Sequence, residues 1–155
     1  MDTFRLSELE GTALNQTVTL RGAARPVRLV PAAVVLMIEA ALPQPRVPLR
    51  LAEKQGSKGT RTEPDHGDPV YQEKSAACTC ARAAARVAWA LNMTTAAGLA
   101  PPRADGPADE GAATAYFVAA AAELLAKLSV REIDEAFAVV SGAGLVKQAE
   151  HAAGN

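Results

Sequence analysis

Aromatic side chains are scarce: Phe4, Tyr71, Trp89, Tyr116, Phe117 and Phe137 are the only six in 155 residues. Hydrophobic residues make up 49% of the chain, but much of that share is alanine. Alanine buries little area, and burial stabilises by roughly 25 cal/mol per Å². The core is therefore expected to be thin for the length, with modest stability in a monomer or stability supplied by a partner. Cysteine is scarcer still, with only Cys78 and Cys80. A bridge between residues two apart would strain a helix, so no disulfide framework is expected and a reducing cytoplasm fits.

Charge of one sign is also missing. Sixteen basic residues face 17 acidic ones, which excludes the concentrated basic face that nucleic-acid binding needs. A local basic bias between Arg46 and Arg61 is diluted by Glu53 and Glu63 and reads as a solvated loop. No apolar run approaches the roughly 18 residues of a membrane span. The longest, at 27–42, is interrupted by Arg28, Pro31 and Glu39. The first ten residues carry acids and lack an apolar segment, so no signal peptide is expected.

The pattern that is present is mainly helical. Residues 1–15 carry Leu6, Leu9 and Leu14, enough for one short helical turn. Thr17 to Leu20 and Val27 to Leu29 alternate polar and apolar around turn chemistry at 21–26, which predicts a short β-hairpin. Pro31 opens a helix over about 31–42 that is apolar nearly all round, implying burial on more than one side. Pro43 and Pro45 stop it. Residues 46–68, with Pro48, Pro64, Gly56, Gly59 and Gly67, read as a flexible linker. Asp68 and Pro69 then start the longest helix, to about Met93. A second flexible stretch spans 98–111. Helices follow at about 112–127 and 130–141, the last opened by a Ser129–Glu132 capping box and ended by Gly142 and Gly144. The expected fold is mainly α, about four helices with a short N-terminal β-hairpin. Residues 1–45 are expected to form one lobe and 69–146 another, with a disordered tail at 147–155.

Chemistry-bearing constellations are weak. His66 lies in a Pro/Gly-rich loop and His151 in the tail, and neither position holds a base rigidly. Cys78 and Cys80, two apart on a helix, point to nearly opposite sides and lack further ligands for a metal. Asp65, His66 and Asp68 read as a helix start rather than a calcium loop. Asp134 and Glu135 read as solvated charges. No catalytic, cofactor or metal site is expected. Val34, Met37, Ile38, Tyr71, Trp89, Phe117 and Phe137 are each a candidate core residue and a candidate partner contact, with core the expected role for most.

A strand at 27–29, a buried helix from Pro31 and a Pro43-x-Pro45-Arg46 exit lead to a charged, Pro-rich stretch. Pro64, Asp65, Asp68, Pro69 and Tyr71 then open a long Ala/Arg-rich helix. Across residues 17–95 this order resembles the tail assembly chaperones of long-tailed bacteriophages and related prophages, in which a P-D-x-x-D-P-x-Y segment commonly precedes the long helix. The resemblance implies a non-enzymatic protein of the host bacterial cytoplasm. It would coat the tape-measure protein, help recruit tail tube subunits and be absent from the finished particle. Self-association is a further expectation, from the thin core. A structural virion component, such as a minor tail or head–tail connector protein, is the alternative reading.

Overall fold

The computed structural model describes residues 16–53, 59–105 and 109–141. Among these residues it is mainly α, with four helices and an N-terminal hairpin, and it adds a second hairpin. The readings at 1–15, at His151, at Gly142 and Gly144 and in the tail lie outside the described residues.

Arg21 and Gly22 both take positive φ, 49° and 82°. That conformation suits a two-residue hairpin turn, whose twist matches the strands it joins. Strands β1 (Gln16–Leu20) and β2 (Ala23–Val27) therefore pair antiparallel, Gln16 opposite Val27 and Leu20 opposite Ala23. The turn is shorter than the predicted 21–26, and β2 begins at Ala23 rather than Val27. Pro26 fits inside β2 because each strand of a two-stranded ribbon has an open edge. Val18 and Val27 bury one face of this hairpin.

Pro31 is the N-cap of helix α1 (Ala32–Ala41), and its carbonyl accepts from the Val34 and Val35 amides. Val34 and Ile38, one turn apart, are fully buried. Strands β3 (Leu49–Glu53) and β4 (Thr60–Pro64) come next, antiparallel from Leu49 opposite Pro64 to Glu53 opposite Thr60. The linker reading of 46–68 is corrected here. Alternation at Leu49/Leu51 and Thr60/Thr62 supports strands, and Pro48 and Pro64 fall at the ribbon's base. The charges pair with one another: Arg50 lies 2.7 Å and Arg61 3.4 Å from the Glu63 carboxylate.

Helix α2 (Pro69–Ala90) starts as its sequence directs, with the Asp68 carboxylate accepting from the Tyr71 amide at 2.8 Å. It ends at a left-handed Asn92 (φ 54°). The Met93 amide donates to the Ala88 carbonyl and the Asn92 amide to Trp89, a Schellman stop. Helix α3 (Glu110–Lys127) is capped by Asp109, and Ser129 opens helix α4 (Val130–Val140) with both bonds of the predicted capping box.

Both predicted lobes contribute to one buried cluster. Val18, Val27, Val34 and Ile38 share it with the alanine-rich end of α2, with Tyr116, Phe117 and Leu124 of α3, and with Ile133 and Val140 of α4. Small residues at 83–85 and at Ala88 let α2 approach its neighbours closely. The lobes are further tied by Arg82, whose Nε donates to the Leu42 carbonyl at 2.8 Å. It places a cation at the C-terminal end of α1, where helix carbonyls lack partners. The connection after α2, read as flexible over 98–111, is pinned through residue 105. Trp89 Nε1 donates to the Pro102 carbonyl at 2.8 Å, and Thr95 exchanges backbone bonds with Leu99 and Gly98.

Candidate protein-docking surfaces

The seven predicted contact residues divide sharply. Val34, Ile38, Trp89 and Phe117 are core. Met37 and Phe137 are partly buried against that core, and Arg86 lies 5.3 Å from the Phe137 ring centroid. Tyr71 alone of the seven stands outside the cluster, half-buried in the first turn of α2, with His66 edge-on at 6.1 Å. Burial removes the first four from any docking surface.

The exposed apolar side chains are others. Leu49 and Leu51 are 67% and 74% exposed, on one face of the β3–β4 ribbon. Among the described residues, none of the ribbon belongs to the core or to the side chains packed on it. Val70, at the start of α2, is exposed too, and the buried part of α2 begins only at Ala83. The ribbon and the front of α2 thus form an arm standing off the helical body. Its base is built by residues 64–72. The Asp65 amide donates to the Pro48 carbonyl at 2.8 Å, closing the ribbon, and Gln72 Nε2 donates to the His66 carbonyl at 3.3 Å. Asp68 and Pro69 then launch the helix. The Leu49-x-Leu51 alternation was the signal for this arm, obscured by its Pro/Gly-rich setting.

A second surface is an open groove of about 830 Å³ between the first hairpin and the end of α3. Leu20, Leu91, Met93, Leu124 and Leu128 give it an apolar floor, and Arg21, Arg25 and Lys127 stand along it. Among the described residues that line it there is no carboxylate.

The remaining candidates serve structure. Cys78 Sγ donates to the Leu42 carbonyl at 3.4 Å, while Cys80 is a free, half-buried thiol. Glu135 pairs with Arg131 at 3.2 Å, and Asp134 is exposed. Among the described residues no three His, Cys, Asp or Glu side chains are grouped to hold a metal ion, and no helix is long and apolar enough to cross a membrane.

The polar groups inside the body are satisfied and constrained. Arg28 stacks 3.6 Å from the Trp89 ring centroid, and its Nε donates to the Trp89 carbonyl at 3.2 Å. Tyr116, 1% exposed, donates its hydroxyl to the Met93 carbonyl at 2.7 Å. Burial pushes the Tyr116 phenol up to about 12; Glu123 adds to this and Arg28 opposes it. An unfolded tyrosine ionises near pH 10. The folded state therefore keeps this advantage below pH 10 and loses it as the pH rises from 10 to 12. The expected loss is about 2 to 3 kcal/mol. Denaturant midpoints between pH 9 and pH 12 should fall more steeply for wild type than for Tyr116→Phe; parallel declines would contradict this.

Comparison of the chain with known protein families, curated proteins and solved structures finds no significant match to any of them.

Proposed function

We propose that this chain is a non-enzymatic docking protein of the tail assembly chaperone kind. In this reading it binds a tape-measure protein, helps recruit tail tube subunits and works in the host bacterial cytoplasm. The observation that carries the reading is the β3–β4 arm, which holds Leu49 and Leu51 in solvent on a ribbon rooted in the helical body. An isolated hairpin is marginal in water, and two leucines on its open face gain by being covered. A long helical target with apolar stripes supplies that cover. The resemblance over residues 17–95 supports the same class, and Pro64, Asp65, Asp68, Pro69 and Tyr71 join the ribbon to the first turn of α2 within the arm.

Co-expression with the tape-measure and tube proteins of the same phage tests this. The wild-type chain is expected to co-purify with the tape-measure protein. A Leu49→Asp/Leu51→Asp variant should keep its helical circular dichroism and lose at least about tenfold in recovery of the complex, the scale of hot-spot loss. Co-purification with neither protein would sink the proposal. Recovery of the chain from purified, finished particles would reassign it to a structural virion component.

A further inference from the structure

The geometry points to the groove between the first hairpin and the end of α3 as a docking site for an acidic amphipathic helix of a partner protein. The site is distinct from the arm and shares only the docking class of the function proposed above. Three observations carry it. The floor draws apolar side chains from three separate parts of the chain: Leu20, Met93 with Leu91, and Leu124 with Leu128. The charge along it is of one sign, from Arg21, Arg25 and Lys127, although the whole chain has a net charge of only −1. The rim is also built. Arg21, fixed by the tight turn, donates to the Lys127 carbonyl and lies 3.6 Å from the Glu132 carboxylate.

Glu132 offsets the charge of Arg21. Arg25 and Lys127 form no ion pair among the described residues, and both are exposed. Arg25 lies opposite Val18 in the ribbon, on the same face as Leu20 and therefore on the groove side. These two cations are the recognition elements for carboxylates flanking an apolar stripe. The volume lies in the range of small-ligand sites, about 300 to 1,000 Å³, but such sites enclose most of their ligand. An open groove of this size instead receives a few large side chains from a segment that lies across it. An extended segment would set unpaired backbone groups over leucine and methionine; a helix bonds its own.

The test uses the full chain and a fluorescent synthetic peptide of about 18 residues, five helical turns, with Leu at alternating third and fourth positions and Glu beside them. A matched peptide carries Lys in place of every Glu. Wild type is expected to bind the Glu peptide saturably, more weakly as salt rises, and to ignore the Lys peptide. Arg25→Glu/Lys127→Glu, at two exposed sites, should weaken the Glu peptide at least about tenfold and gain the Lys peptide. Circular dichroism checks that the variant is folded. Leu49→Asp/Leu51→Asp should bind the Glu peptide like wild type, so this inference and the proposed function fail separately. Equal binding of both peptides, or indifference to charge reversal, overturns the proposal. Binding of laurate without the peptide would assign the groove to a small amphiphile and overturn it. So would concentration-dependent sedimentation abolished by charge reversal, which would assign the groove to a second copy.

Discussion

Trp89→Ala is expected to lower stability by about 3 to 5 kcal/mol, the range for truncating a large buried aromatic side chain. Trp89 is 3% exposed, at the end of α2, where Arg28, just past the first hairpin, and Pro102 of the following connection both reach it. Three losses coincide on truncation. The cavity is lined by neighbours that cannot all collapse into it. The Pro102 carbonyl loses its indole donor, and Arg28, partly desolvated, loses the ring it stacks on. Urea midpoints followed by far-UV circular dichroism measure the total. Trp89→Phe should cost less, since it keeps apolar volume and a ring face and loses chiefly the indole bond. A double-mutant cycle with Arg28→Ala should return about 0.5 to 2 kcal/mol for the stack. A Trp89→Ala cost below about 1 kcal/mol would place the indole outside the core.

Ile38→Ala should cost about 2 to 5 kcal/mol, and the manner of the loss matters as much as its size. Ile38 is on α1, in the segment that the sequence pattern assigned to a separate N-terminal lobe. It is 1% exposed and belongs to the same cluster as Phe117 and Trp89. If that cluster is one cooperative core, the variant unfolds in a single transition at a lower urea midpoint. Trp89 fluorescence and far-UV circular dichroism then give the same curve. Trp89 is the only tryptophan, so its emission reports on α2 while the substitution is made on α1. Two transitions, with Trp89 emission unmoved by Ile38→Ala, would restore two independent lobes.

The helices were legible where local chemistry fixes their ends. Asp68 with Pro69, and Ser129 with Glu132, are signals within four residues, and each forms the bond its spacing predicts. The first hairpin was legible in its first strand, but residues 23–26, expected as turn, form most of its second strand. Arg21 at positive φ is an uncommon choice for a non-glycine residue, so the local sequence does not mark so tight a turn. The β3–β4 ribbon was missed for a physical reason. Sequence patterns reveal a strand chiefly through a buried face, and this strand buries neither. Its Leu49/Leu51 alternation is short and sits among glycines, prolines and charges that usually mark connections.

The same limit governs the docking surfaces. Val34, Ile38, Trp89 and Phe117 have the composition of contact residues because a core and an interface ask for the same side chains. Only packing separates them, and packing brings together residues far apart in the chain. Arg28 reaches Trp89 and Asn92 across some sixty positions, and the groove joins Leu20 to Leu128. No local window holds either arrangement.

Binding calorimetry at two temperatures, with the purified chain and a helical segment of a tape-measure protein, bears most directly on the docking role proposed for the arm. The account predicts saturable binding with a negative heat-capacity change, the mark of apolar burial, both lost in Leu49→Asp/Leu51→Asp. Absence of binding by the wild-type chain, or undiminished binding by that variant, would contradict it.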